Sequence, residues 1–182
     1  KEISYFNNMP HSSEVLKNAY SSNTPIFFEN PIEEFLKNGL TNTNSSMVKK
    51  VLLDGVGGFD NSFRLQQDLH LFLRLAVSSS FIFIPRICAF NRQHPNNSTN
   101  SELKTIHWRI EVFKSLLDEE AFKKYQGILN KKIAACYLGL CYTYREIGEY
   151  TKAIKMVLLA IRYRPLIVSS WKCLLASVLR IK

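Results

Sequence analysis

Residues 45–76 read SSMVKKVLLDGVGGFDNSFRLQQDLHLFLRLA, and residues 81–98 read FIFIPRICAFNRQHPNNS. The first part changes character three times. Small polar residues give way to Met47-Val48 and then to Lys49–Leu53, which reads as a strand passing into a short helix. Gly55, Gly57 and Gly58 interrupt regular structure before Phe59-Asp60. From Leu65 to Val77 the apolar residues Leu65, Leu69, Phe72, Leu73 and Ala76 recur at the spacing of one helix face, so a firm amphipathic helix is expected there. In the second part, Phe81–Ile84 and Ile87–Phe90 are short aromatic and β-branched runs separated by Pro85, the pattern of two buried strands. Gln93–Asn100 has the composition of a loop.

Outward from this stretch the pattern simplifies. Upstream, Asn30-Pro31 followed by Ile32, Phe35 and Leu36 predicts a short helix with proline at its start, stopped by Asn38-Gly39. Downstream of Ser101 everything looks helical. Leu103, Ile106, Ile110, Phe113 and Leu117 mark one stripe, with Asn100 or Ser101 as cap. Within 134–165, Tyr137, Leu140, Tyr144, Gly148, Tyr150, Ala153, Ala160 and Pro165 stand where a tetratricopeptide repeat puts its aromatic, leucine, turn glycine, small packing residues and closing proline. Trp171 and Leu174 then lie one period beyond Tyr137 and Leu140. One full repeat is present where about three make an independent solenoid. The expectation is a helical hairpin packed on its neighbours, with Ala153 and Ala160 allowing close approach of two antiparallel helices.

Composition narrows the classes further. The 182 residues are 46% hydrophobic, enough to bury a core and too apolar for a disordered chain. No apolar run reaches the roughly 18 to 20 residues that cross a bilayer. The chain opens on Lys1-Glu2-Ile3-Ser4, without Met or the apolar stretch of a signal peptide, and is expected to be a piece of a longer, soluble, cytoplasmic protein. Cys88, Cys136, Cys141 and Cys173 form no C-x-x-C pair and sit among apolar neighbours, which points to buried thiols and away from a zinc site or a disulfide framework. The net charge of +9 is concentrated after residue 103. Its Lys and Arg are interleaved with core residues such as Leu158, Leu159 and Ile161, which argues against a nucleic-acid-binding stripe.

Three landmarks between residues 45 and 98 carry chemistry. A V-G-G-F-D turn at Val56–Asp60 precedes an acidic residue opening the helix that holds L-x-L-R (Leu71–Arg74), and a strand later runs into R-x-H-x-x-x-S (Arg92, His94, Ser98). In this order and spacing they resemble the acceptor-side half of family 2 glycosyltransferases. The resemblance covers about residues 1–100. It implies an α/β fold, a partial GT-A domain at 1–100 followed by an all-helical tail at 101–182. It also implies inverting transfer of a sugar from a nucleotide diphosphate donor to a hydroxyl acceptor, a saccharide or lipid-linked one, in cell-surface polysaccharide or glycoconjugate assembly.

By position, the family's general base is Asp68, in the first turn of its helix. A sugar hydroxyl is a poor nucleophile until a carboxylate within hydrogen-bond reach takes its proton. The family pair is Glu-Asp, and here Gln67 replaces the Glu. Arg92 and His94 match the basic pair near the diphosphate, with His94 also a candidate ligand of the divalent metal, Mg²⁺ or Mn²⁺, that the family uses. Gly57, Gly58, Phe59, Asp60 and Gln67 would line the substrate side. Arg74 is expected to be structural. No D-x-D occurs in the sequence, so the family's main metal motif is absent and the chain alone is expected to be inactive. The competing reading is a non-enzymatic interaction module built on the repeat-like hairpin. The basic tail also admits peripheral contact with the inner face of a membrane.

Overall fold

The computed structural model describes residue 18 and residues 21–38, 43–86 and 101–181. Among them, 69% are helical, in seven α-helices and short 3-10 turns, and the sheet has two strands. The expected α/β, GT-A architecture is therefore overturned. Of the strand signals that suggested it, Phe81–Phe83 forms a strand, whereas residues 46–49 adopt no regular structure and lead directly into a helix. Met47 is 99% exposed and Val51 is exposed, so these positions gain little of the burial that favours apolar residues in a strand. Ile87–Phe90 lies outside the described residues, as do the loop at 93–100 and the expected boundary between the two parts of the chain.

The chain divides into two compact units, residues 1–60 with 68–93, and residues 61–67 with 94–182. In the first, strand β1 (Ile26–Phe28) pairs antiparallel with β2 (Phe81–Phe83), Phe27 opposite Ile82. Both of these central residues are exposed, while their neighbours turn inward, the period-two alternation of a sheet covered on one face. Helix α1 (Ile32–Asn38) begins after the buried Pro31, whose carbonyl accepts the first helical bond from the Phe35 N–H at 2.9 Å. The Phe81 ring meets Phe35 edge-on, centroids 4.7 Å apart. Helix α2 (Lys50–Gly55) is short and exposed. Helix α3 (Gln67–Ser78) buries Leu69, Leu71, Phe72, Leu73, Leu75 and Ala76, and with Ile32, Phe35 and Leu36 these make the core of the unit.

The second unit is a succession of packed helices: α4 (Glu102–Leu117), α5 (Gln126–Glu146), α6 (Tyr150–Tyr163) and α7 (Val168–Val178). Helix α4 packs on α5, α5 on α6, and both α5 and α6 on α7. Helices α5 and α6 follow one another across Gly148 and pack together. Tyr137 and Leu140 are buried, Ala153, Val157 and Ala160 are fully enclosed, and Tyr137 stacks on Tyr163 with centroids 5.9 Å apart. Gly148 takes φ +79° and closes α5: its N–H donates to the Arg145 carbonyl and the Glu149 N–H to the Tyr144 carbonyl. The segment 61–67 belongs here too. Phe63 is buried, with its ring edge-on to Trp108 of α4 at 6.3 Å.

Candidate functional site

The Val56–Asp60 turn owes its shape to the end of α2. The Gly57 N–H donates to the Asp54 carbonyl at 3.1 Å and the Gly58 N–H to the Leu53 carbonyl at 3.0 Å, the paired bonds that cap a helix through a left-handed residue. Gly57 and Gly58 have φ +76° and +68°, which glycine adopts without a Cβ penalty. Among the described residues no atom lies within 4 Å of where a Cβ would stand at either position. Backbone conformation, not crowding by the protein, is what asks for glycine here, and the turn borders open space. Phe59 is exposed beyond it and Asp60 is half-buried.

The three residues Gln66-Gln67-Asp68 separate in role. Gln66 sits at φ +62° and its Oε1 accepts from Arg109 Nε of α4 at 3.1 Å. Gln67, the first residue of α3, donates its amide Nε2 to the Phe63 carbonyl four residues back. This fixes the helix entry and commits the Gln67 donor to the backbone. Asp68 follows in the first helical turn, half-buried, and its Oδ1 accepts from the Leu69 N–H at 2.8 Å. That contact restrains the carboxylate and leaves Oδ2 for another donor. The Val56–Asp60 turn and Asp68 belong to one compact unit.

Arg92 and His94, expected beside the diphosphate, lie outside the described residues. Among the described residues no group of three or more His, Cys, Asp or Glu is placed to hold a metal ion. Arg74 is half-buried on α3.

A second feature, which the sequence reading passed over, lies on α7. That helix buries Ser170, Cys173 and Ser177 and turns Val168, Trp171, Leu175 and Val178 outward, with Leu179 just beyond its end. Trp171, one period beyond Tyr137, is 52% exposed, its Nε1 donating to the Pro165 carbonyl at 2.8 Å. The signal was present as an apolar i, i+3, i+7, i+10 series beside the small-residue face, but the sequence could not say which of the two faces is covered. Behind the small face, Arg145 of α5 is buried, donating from Nε to the Ile181 carbonyl at 3.0 Å and from Nη1 to Cys173 Sγ at 3.5 Å. Among the described residues no helix is long and apolar enough to cross a membrane. No family model, curated protein or solved structure matches this chain.

Proposed function

We propose that the Val56–Asp60 turn and the α3 residues from Asp68 onward carry the acceptor side of a sugar-transfer site, with Asp68 as the base. The observation that carries the reading is a half-buried carboxylate opening an otherwise deeply buried helix, in the same compact unit as a glycine turn that borders open space. The proposal rests on these residues and on the motif order, and asks for no larger sheet. In the reaction, an acceptor hydroxyl gives its proton to Asp68 as its oxygen attacks the anomeric carbon. The new C–O bond forms while the bond to the nucleotide diphosphate breaks, and the diphosphate leaves with that electron pair. Contact of Oδ1 with the Leu69 N–H holds the carboxylate in one orientation, and orientation is a large part of what a base contributes.

The test is sugar transfer by the protein, with Asp68→Asn as the variant. Loss of about two to four orders of magnitude in turnover is expected, with nucleotide binding nearly unchanged, because a base acts in the transition state and not on the donor. Near wild-type turnover would remove Asp68 from the chemistry. Gln67→Glu is expected to weaken the helix entry, since a carboxylate cannot donate to the Phe63 carbonyl.

A further inference from the structure

Helix α7 is built inside out. Its small polar side, Ser170, Cys173 and Ser177, is packed, and its bulky apolar side faces solvent, Leu175 being 61% exposed and Val168, Trp171, Val178 and Leu179 all more than half exposed. Leu166 before the helix and Ile181 after it extend the same exposure along the chain. Large side chains left in water at helical spacing are unfavourable unless something covers them, at about 25 cal/mol per Å² of apolar surface.

The charge around this face says what covers it. Residues 150–182 contain Lys152, Lys155, Arg162, Arg164, Lys172, Arg180 and Lys182 and no Asp or Glu at all. Arg162, Lys172 and Arg180 are exposed, Lys172 on α7 itself and Arg180 just after it. A second copy of the chain would bring two such predominantly basic segments together, so self-association is opposed by charge. A protein partner would need a groove or an acidic helix of its own to receive this face, whereas an exposed helix side with a basic flank suits a lipid interface as it stands. Trp171 fits that setting: its only donor is already satisfied by the Pro165 carbonyl, so the whole ring can enter an apolar medium without leaving an N–H unpaired.

We infer that α7 is a peripheral docking helix for an anionic lipid surface, seating Trp171, Leu175 and Val178 at the headgroup boundary with Lys172 and Arg180 on the lipid phosphates. The helix lies in the interface and does not span it, being only 11 residues long. The inference stands on the α7 face and its charge, and is independent of the sugar-transfer reading.

The experiment is co-sedimentation of the full chain with vesicles of phosphatidylcholine alone and of phosphatidylcholine mixed with phosphatidylglycerol, over a salt series. Binding to the mixed vesicles only, weakening as salt shortens the screening length, is expected. Leu175→Ser removes an exposed side chain and leaves the core intact, as unchanged circular dichroism would verify; it is expected to weaken binding about tenfold or more. Lys172→Gln is expected to weaken it about fivefold. Equal affinity for both lipid compositions, no binding to either, wild-type affinity of Leu175→Ser, or a self-association without lipid that Leu175→Ser abolishes, would each overturn the assignment.

Discussion

At the scale of single residues, Cys141 shows how packing reassigns a side chain. It is fully buried on α5, its Sγ 3.4 Å from that of Cys173 and 3.5 Å from Ser177 Oγ. Burial penalises the thiolate and pushes the thiol up to about 11 from 9.0. The native state therefore keeps a proton that the unfolded chain gives up above about pH 9. The stability this supplies is intact below pH 9 and falls away between about 9 and 11. The expected loss between pH 8 and 10 is about 1 kcal/mol, read from urea midpoints, and Cys141→Ala should flatten that part of the profile. The same burial predicts that Cys141 resists alkylation at neutral pH in the folded protein. The sequence reading of buried, unpaired thiols holds for Cys141 and Cys173, and Cys136 is half-buried. Asp68 lies at the other extreme: its position at a helix start was legible, but whether a substrate meets it depends on elements far away in the chain.

At the scale of elements, three helices end in the same way and one of them does so against preference. Helices α2 and α5 close through Gly57 and Gly148 in the left-handed region. Helix α7 closes with the same pair of bonds, Arg180 N–H to the Ser177 carbonyl at 3.3 Å and Ile181 N–H to the Ala176 carbonyl at 2.9 Å, but through Arg180 at φ +55°. A non-glycine residue there costs on the order of 1–2 kcal/mol, partly offset in any replacement by the greater freedom of glycine in the unfolded chain. Arg180→Gly is expected to raise stability by about 1 kcal/mol, measurable as a higher denaturation midpoint with unchanged helix content. Helical spacing made α1, α3 and α4 visible in the sequence, and glycine made two of the ends visible. The end of α7 carried no such mark, because the strain at Arg180 is tolerated through contacts that Arg145 makes with the Ile181 carbonyl.

At the scale of the whole molecule, the chain passes from one compact unit to the other and back, since residues 61–67 belong with 94–182 while 68–93 return to the first unit. The anchor of that excursion within its unit is Phe63 against Trp108, helped by Gln66 on Arg109. Phe63→Ala is expected to destabilise the helical unit by about 3 kcal/mol, with the change seen in the near-ultraviolet signal of Trp108. By itself, the sequence determined what is local: helix periods, the hairpin with its small residues at 153 and 160, the glycine turns, and the lack of any helix able to cross a membrane among the described residues. Those features depend on spacing and backbone preference within a turn or two. Tertiary structure decided the rest. It left Met47 and Val48 without the strand expected ahead of the short helix at 50–55, paired Phe81–Phe83 with a strand at 26–28 that carries little local signal, and placed Phe63 on a helix some 45 residues away. It also chose which side of α7 to bury. A short apolar run suits strand or helix, and a helix with two packable faces suits either, so the outcome rests on which neighbour arrives, a fact held in long-range contacts and not in any one segment.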